Sequence, residues 1–478
     1  MTQIQTDYLP QPVSGNQPIY LRLADAIERD IDNGTLAAGS RLPPMRNLAF
    51  DIGVTIGTIS RAYNVIAERG LVAGEVGRGT YVLDRSAVPS PAPPTPDRAE
   101  PPAALAGREV ERNEPLNFDS TAALDVGQAA QFSEMFAQIA RSMPQALLDY
   151  VHVLPDHWRA AGVRYLSHNG YRPQADAIAA VNGCHAGIMA IMMTVSAPGD
   201  KIVFETGTYA SIARSVALAG RRIVETPMDD DGILPDEFEK LCARQHPRLL
   251  YLMPAVNNPT LARLSGERRA AIVAICRRYN VWIIEDAIYA PLSGDREAPM
   301  AALCPELTFH VAGLSKTVSA ALRSGWIACP SGFSGRIQSA HRMFSGGNSH
   351  VLKELASRVV LSGEADRILA RALEVIRHRA AMLAECLDGY DIRINPTCPY
   401  AWLRLPEPWL SGAFRNAALE RGIMISHEDD FKPSRSGVSF HAVRISFAQR
   451  YGDDTYRAAF ATIRDLLESG VTGHLAVT

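Results

Sequence analysis

Paired cysteines, long apolar runs and a secretory leader are absent from this sequence. The seven cysteines are scattered singly without a Cys-x-x-Cys pair, which argues against a zinc site and against a disulfide framework. No run of 18 apolar residues occurs, and the first residues form neither a basic nor an apolar stretch, so neither a transmembrane helix nor a signal peptide is expected. We expect a cytoplasmic protein with no membrane attachment and no metal site.

An excess of one charge is also lacking. The 48 lysines and arginines oppose 51 aspartates and glutamates, which gives a formal net charge of −3. Because no bulk basic field exists, any binding of nucleic acid must be local. The 47% hydrophobic and 21% charged residues are typical of globular proteins, and 478 residues exceed one ordinary core. At least two domains are expected.

Proline divides the chain into parts. Between Asp84 and Glu114, seven prolines fall among alanines, serines and charged residues, a composition that is typical of a linker. A proline-rich chain stays extended at roughly 3.1 Å per residue and can separate two modules by several tens of ångströms. We therefore predict a head over residues 1–83, a linker over 84–114 and a body over 115–478, whose smaller lobe begins at about residue 340.

The head has the pattern of a winged helix-turn-helix domain. Apolar residues at helical spacing predict helices over about 20–31, 43–52 and 56–69, each followed by a glycine. Two short strand-like runs, 71–73 and 80–83, flank a glycine-containing turn. Three helices and a hairpin within this length are the pattern of a winged helix-turn-helix domain.

Three segments of the head, 18–20, 39–49 and 77–82, resemble the GntR winged-helix family. The resemblance implies that the third helix enters the major groove of double-stranded operator DNA and that the wing reaches the neighbouring groove. Short hydroxyl donors and arginines suit phosphate oxygens and base edges. Ile56 stands where the family usually has an arginine, and a winged helix used only for protein contacts is the alternative. The candidate DNA contacts are Arg46, Thr55, Thr58, Ser60, Arg61 and Arg78.

After the linker, apolar strand runs alternate with amphipathic helices, which is typical of a mainly parallel α/β sheet. A helix is predicted over 265–279, and the chain beyond Pro330 is rich in helix before strands over 400–405 and 443–447. The fold class is therefore multidomain, with a winged helix-turn-helix head and an α/β body that ends in a small α+β lobe. The predicted strands of the large sheet are 178–181, 201–204, 249–253, 281–284 and 309–312.

Charged side chains follow two of these strands directly. Lys316 comes after the strand 309–312, and Arg323 lies seven residues further on. A lysine that forms an imine needs a strand-end position facing a crevice, and an arginine fork suits a phosphate. Asp286 follows the strand 281–284, where a carboxylate can keep a pyridinium nitrogen protonated. These motifs resemble, in their order, the fold-type I, class I aminotransferases, which hold pyridoxal 5′-phosphate as an internal aldimine on a lysine.

The resemblance implies roles for the other motif residues. Asn258 and Tyr289 match residues that hydrogen-bond the ring hydroxyl, Tyr209 matches the aromatic that stacks on the ring, and the turn 182–185 would receive the phosphate at a helix N-terminus. Arg444 matches the arginine that grips a substrate carboxylate, so we assign it to the effector. A turn position for Asn258 and a structural position for Arg444 stay open. The cofactor candidates are Asn182, Gly183, Cys184, His185, Tyr209, Asn258, Asp286, Tyr289, Ser315, Lys316 and Arg323.

A GntR-like head, a proline-rich linker and an aminotransferase-like body together resemble the MocR subfamily of bacterial transcription regulators. The resemblance implies a head-to-tail homodimer that senses an amino compound through an external aldimine and alters its binding to DNA, without physiologically important turnover. An active aminotransferase with an accessory head is the alternative, because Lys316, Asp286 and Arg444 are all present. A sensor without cofactor is a third possibility. Gly313 departs from the family, which often has a serine or threonine there.

Overall fold

The structure is a computed structural model that describes residues 8–11, 17–75, 79–83, 114–434 and 438–475. Contacts divide the chain into two units, residues 1–108 and 109–478, and each is described by itself. Of the predicted linker only Glu114 lies within the described residues, and Arg78 lies outside them. Across the described ranges, the structure contains no helix that is both long and apolar enough to cross a membrane.

The first unit folds as the predicted winged helix-turn-helix. Helices α1 (Ile19–Asp32), α2 (Met45–Ile52) and α3 (Ile56–Glu68) pack around a common apolar core, and strand β1 (Val72–Glu75) pairs antiparallel with β2 (Gly79–Val82). The core exists because each helix places apolar residues on one face at a spacing of three or four. Its buried members include Leu23, Ala24, Ile27, Leu48, Ala49, Ile59, Tyr63 and Ile66.

Local signals fix where α2 ends and α3 begins. Gly53 follows α2 with a φ of 72°, a left-handed conformation that glycine adopts without steric cost. Thr55 caps α3, because its side-chain oxygen accepts a hydrogen bond of 3.2 Å from the backbone N–H of Thr58. Gly53 and Thr55 therefore determine where the turn between the two helices lies.

The second unit contains a large sheet covered by helices and a smaller sheet in its C-terminal lobe. The described strands are β3 (Leu116–Asn117), β4 (Ile178–Val181), β5 (Lys201–Glu205), β6 (Arg222–Thr226), β7 (Met228–Asp229), β8 (Gly232–Ile233), β9 (Leu249–Leu252), β10 (Trp282–Asp286), β11 (Thr308–Gly313), β12 (Gly325–Ala328), β13 (Ile392–Ile394), β14 (Tyr400–Arg404), β15 (Ile423–Met424), β16 (Ser426–His427) and β17 (Ala442–Ser446). The described helices are α4 (Ala129–Ser142), α5 (Asp156–Leu166), α6 (Cys184–Val195), α7 (Ala210–Leu218), α8 (Pro235–Gln245), α9 (Gly266–Tyr279), α10 (Ala290–Ser293), α11 (Met300–Leu303), α12 (Ser334–Ser345), α13 (His350–Leu361), α14 (Glu364–Cys386), α15 (Ser411–Glu420) and α16 (Asp453–Leu475).

The large sheet has the strand order β4-β12-β11-β10-β9-β5-β6. Its pairings between described strands are parallel except those of β12, which runs antiparallel to β11 and to β4. Strands β9 and β11 are buried along their whole length, as expected where helices cover both faces. The carboxyl ends of the parallel strands lie along one edge, which is where open α/β sheets bind ligands.

The small lobe is built on a four-stranded sheet of order β13-β14-β17-β16. The first described residues of this unit are attached to the same lobe, because β3 pairs in parallel with β15. Backbone hydrogen bonds from Leu116 N–H to Gly422 O and from Phe118 N–H to Met424 O hold that pair together. The residues that directly follow the predicted linker are therefore part of the small lobe.

All seven cysteines lie in the second unit and all have free thiols. Six of them are buried, and Cys386 is partly exposed. Burial raises the pKa of the thiols, for example that of Cys242 to about 12 and that of Cys304 to about 11. The six buried cysteines are core residues with little thiolate at neutral pH.

Gly313 has no room for a side chain. It pairs with Gly325 across β11 and β12, and a Cβ atom at residue 313 would lie 2.9 Å from the carbonyl oxygen of Ser324 and 3.0 Å from the Cys184 sulfur. Contacts this short force the backbone or the thiol to shift. Glycine at position 313 is therefore a packing requirement of this chain.

Gly313→Ala is expected to destabilise the body by about 1–3 kcal/mol, since it overpacks a buried contact. Gly335→Ala is the matched control, because Gly335 lies in α12 and a Cβ there meets nothing within 4 Å. Urea unfolding followed by tryptophan fluorescence measures both, since all five tryptophans lie in the body. Equal stability of the two variants would contradict the close approach at Gly313.

Candidate functional site

A cavity of about 670 Å³ lies at the carboxyl ends of the parallel strands. Among the described residues that line it are the effector candidate Arg444 and every predicted cofactor residue except Asn182. The cofactor candidates at the cavity are Gly183, Cys184, His185, Tyr209, Asn258, Asp286, Tyr289, Ser315, Lys316 and Arg323. The structure thus brings together residues that are up to 261 positions apart, from Gly183 to Arg444.

The amine of Lys316 is held by a hydroxyl group. Lys316 Nζ donates a hydrogen bond of 2.9 Å to Thr121 Oγ1, which in turn lies 2.6 Å from the hydroxyl oxygen of Tyr289. The same amine lies 5.6 Å from the centre of the Tyr289 ring. Thr121 is buried and was not predicted, because the stretch after the linker carries no motif that points to the site.

The carboxylate of Asp286 is buried at the end of β10. It accepts hydrogen bonds from the Tyr251 hydroxyl at 2.8 Å and from the Ile288 N–H at 3.1 Å. Burial raises the pKa of Asp286 to about 6, an effect that the Tyr251 hydrogen bond, the Ile288 N–H and the Lys316 charge oppose. Tyr251 was also missed, although a tyrosine within a buried strand signals that its hydroxyl needs a partner.

The turn before α6 presents backbone N–H groups to the cavity. Gly183 precedes the helix with a φ of 83°, and the first N–H groups of a helix have no partner within it, which suits an anion. His185 Nε2 lies 3.0 Å from Ser215 Oγ, and burial, then the Arg323 charge, lowers the pKa of this imidazole. His185 is therefore neutral at neutral pH. Arg323 has a φ of 42°, a strained backbone of the kind found at ligand sites.

Asn182 faces away from this cavity. Its side-chain amide donates a hydrogen bond to Gly347 O, and its backbone N–H donates to His341 Nε2 at 3.0 Å. It lines a second cavity of about 370 Å³ together with Lys353. The lysine amine there donates to Val181 O, Ser324 Oγ and Gly325 O. These contacts give Asn182 a role in bracing the turn rather than in lining the main cavity.

Arg444 lies on β17 with only 7% of its side chain exposed. Its Nη1 donates to Asn258 Oδ1 at 2.8 Å, and its Nη2 donates to Asp119 O at 2.6 Å and to Ser426 Oγ at 3.1 Å. The guanidinium stacks 4.7 Å from the ring centre of Phe431. Arg444 therefore joins the small lobe to Asn258 in the loop after β9, and its position is fixed from several sides.

The described DNA-contact candidates are grouped on the first unit. Arg46 on α2 and Arg61 on α3 are exposed, and so is Thr55. Thr58 and Ser60 are partly exposed. The hydroxyls of Thr55 and Thr58 lie 2.9 Å apart, so both also have a structural role at the start of α3. Their exposure leaves the N-terminal half of α3 accessible to a nucleic acid.

The donor set of the cavity fits pyridoxal 5′-phosphate. Lys316 offers an amine for the aldehyde, and the buried Asp286 carboxylate, whose hydrogen-bond donors are both uncharged, offers an anion to a pyridinium nitrogen. The N-terminus of α6 at Gly183 and the fork of Arg323 suit a phosphate, and Tyr209 offers a ring face. The fold and this site define a protein with an aminotransferase-like body.

Comparison with solved structures supports the fold. The chain is similar to an archaeal alanine:glyoxylate aminotransferase, with a TM-score of 0.69 and 19% identity over 74% of this chain and 91% of that one. The family model "Aminotransferase class I and II" matches residues 114–452, and the model "Bacterial regulatory proteins, gntR family" matches residues 19–82. The chain belongs to the aminotransferase class I and II family.

Several relatives of the chain are named as transcription regulators. The chain is 27% identical over 428 residues to the vitamin B6 salvage pathway transcriptional repressor PtsJ of Salmonella typhimurium, covering 89% of this chain and 93% of the relative. It is 26% identical over 329 residues to the probable rhizopine catabolism regulatory protein MocR of Rhizobium meliloti, covering 66% of each. A GntR head joined to a fold-type I body is the arrangement of the MocR subfamily, as the sequence predicted.

Proposed function

We propose that this protein is a pyridoxal 5′-phosphate-dependent transcription regulator that binds operator DNA through its head and senses an amino compound in its body. The observation that carries the proposal is the pairing of a lysine amine and a buried carboxylate, Lys316 and Asp286, in one cavity of a chain with a GntR head. When bound, the cofactor would supply an aldehyde that condenses with the Lys316 amine and then with the amine of an effector.

Six residues at the site have a specific task in this proposal. Lys316 holds the cofactor, and Thr121 orients its amine. Asp286 pairs with the ring nitrogen. The turn at Gly183 receives the phosphate with Arg323. Arg444 binds the carboxylate of the effector, since a guanidinium matches a carboxylate with two parallel hydrogen bonds.

A second copy of the chain is the expected partner of an apolar surface on the body. The side chains of Leu148, Tyr150, Val153 and Met343 are 78–87% exposed. Arg342 donates a hydrogen bond to His152 O, which shows that the two segments adjoin. Adjoining exposed apolar side chains mark an interaction surface. They support the predicted homodimer, and the head-to-tail arrangement of that dimer remains part of the proposal.

Arg61→Ala is expected to weaken binding of the full chain to a mixed-sequence DNA duplex by roughly threefold to tenfold and to reduce the salt dependence by about one counterion. The reason is that Arg61 is exposed on α3, where a phosphate contact is available. Fluorescence anisotropy at several salt concentrations measures both quantities.

Arg29→Ala provides the control for the head, because Arg29 lies on α1 in an ion pair with Asp30. We expect its affinity and salt dependence to match those of the wild type. If both substitutions reduced DNA binding equally, α3 would have no special part in it. That result would favour the alternative in which the head makes only protein contacts.

The proposed function is tested by the visible spectrum of the protein with added cofactor, before and after a panel of amino compounds, with no oxo acid present. A cofactor band that shifts and stays, accompanied by a change in affinity for a duplex selected from a random pool, supports a sensor. A band that decays and returns on addition of an oxo acid indicates an aminotransferase, which Lys316, Asp286 and Arg444 together favour as the second candidate. A protein that takes up no cofactor contradicts both.

A further inference from the structure

The guanidinium of Arg444 already has a carboxylate beside it. Asp119 lines the cavity, and its Oδ1 accepts a hydrogen bond of 3.2 Å from Arg444 Nη2. The hydroxyl of Ser426 donates to the same carboxylate oxygen. The Asp119 carboxylate thus accepts from the Arg444 Nη2 group, to which the carboxylate of an incoming ligand would also have to bind.

The two members of this pair differ in how freely they can separate. Arg444 is 7% exposed, stacked on Phe431 and bonded to Asn258, whereas half of the Asp119 side chain is exposed. Moving the arginine away would break several buried interactions. Moving the carboxylate returns it to water at small cost, because it is already half hydrated. Asp119 is therefore the member of the pair that is easier to displace.

We propose that Asp119 is an internal competitor that determines which ligands Arg444 can bind. An anion reaches the guanidinium only by displacing the Asp119 carboxylate. The proposal refines the effector site of the proposed function and rests on it for the amine half of the ligand. It keeps the carboxylate-bearing amino compounds of the proposed function as the ligands and gives them a lower affinity than an unopposed arginine would.

Displacement of Asp119 acts on a segment that also contacts the lysine. Asp119 and Thr121 are two residues apart, and Thr121 accepts the hydrogen bond from Lys316. The same segment is tied to β17, because Ser446 N–H donates to Phe118 O. Displacement of Asp119 at Arg444 and any change at the Lys316 amine therefore act on opposite ends of one short stretch of chain, Asp119 to Thr121, which links the two sites.

Asp119→Ala tests the proposal with the full chain in its cofactor-free form and propionate as the probe. We expect calorimetry to give at least a tenfold lower Kd for propionate than in the wild type, because the guanidinium loses its competitor. Ethylammonium, which has no carboxylate, is expected to bind equally to both proteins. Asp119→Glu keeps the carboxylate and is expected to remain within about threefold of the wild type.

Asp125→Ala is the matched control, because Asp125 belongs to the same stretch and pairs with Arg450 instead. A propionate Kd that is unchanged in Asp119→Ala, or lowered equally in Asp125→Ala, would overturn the proposal. Neither cofactor nor DNA enters this measurement. A failure of the proposed function would appear in the spectrum and in DNA binding, so the two failures are distinguishable.

Discussion

Lys316→Ala is expected to abolish the response of the protein to amino compounds while its affinity for DNA stays unchanged. The Lys316 amine faces the cavity and is positioned by Thr121, whereas the DNA candidates lie in a separate unit. Alanine removes the nitrogen that would bond the cofactor, so we expect complete loss of the visible band that is due to the lysine-bound form. Absorption spectra and fluorescence anisotropy with DNA measure the two functions independently.

Lys240→Ala is the control for the loss of a lysine, because Lys240 lies on the surface of α8 in an ion pair with Glu237. It should behave as the wild type in both measurements. If Lys316→Ala lost its affinity for DNA, the separation of sensing and DNA binding between the two units would be wrong. If it kept the band and the response, another amine would have to hold the cofactor.

Asp286→Asn is expected to change the two forms of the protein in opposite directions. Folding raises the pKa of Asp286 from 3.8 to about 6, so holding this carboxylate ionised at pH 8 costs on the order of 2–3 kcal/mol. The neutral amide avoids that cost, and the cofactor-free variant should unfold at a higher temperature than the wild type. The amide offers no charge to a pyridinium nitrogen, and cofactor affinity should fall roughly tenfold to a hundredfold.

The pH dependence of this effect follows from proton linkage. Between pH values of about 4 and 6, the folded protein holds a proton on Asp286 that the unfolded chain has lost, so this residue lowers stability as the pH rises. The stabilisation by Asp286→Asn should therefore be small near pH 4 and fully present above pH 6. Thermal unfolding at several pH values measures it, with the exposed Asp388→Asn as control. A gain that is independent of pH would contradict a buried carboxylate with a raised pKa.

The placement of the site was predictable because of how parallel sheets are built. The strands that precede Asn258, Asp286 and Lys316 were recognised as apolar runs, and their carboxyl ends meet at one edge. Once those strands were assigned, the residues that follow them had to be neighbours. Helix α9 was equally clear, because Ser265 accepts from Arg268 N–H at its start and Asn280 ends it in a left-handed conformation.

Two strands of the large sheet were not predicted. Strand β6 lies at the sheet edge and has only two apolar residues, Ile223 and Val224, between polar ones, which weakens its signal relative to the buried strands. Strand β12 is short, begins at Gly325 and follows β11 by a turn rather than by a helix, so it breaks the alternating order on which the prediction relied. An apolar run in the sequence therefore identifies strands that are buried on both faces, but it does not identify edge strands or strands that depart from the alternation with helices.

Residues that act through long-range contacts could not be found from local patterns. Asp119 and Thr121 reach the cavity because β3 pairs with β15 in the small lobe, a pairing of residues about 300 positions apart that no short motif encodes. Asn182 illustrates the opposite case. Its position beside Gly183 predicted contact with the cavity, but its side chain turns to Gly347, since residues next to each other at a strand end point in different directions.

The positions of the seven cysteines allow opening of the body to be measured by thiol labelling. The head contains no cysteine, and six of the body's cysteines are buried with raised pKa values. A thiol reagent added to the native protein should modify Cys386 first and the others only when the body opens. The rate of the slow labelling phase then measures how often the body opens, without any contribution from the head. A small molecule that binds in the cavity beside Cys184 and stabilises the closed body should lower that rate.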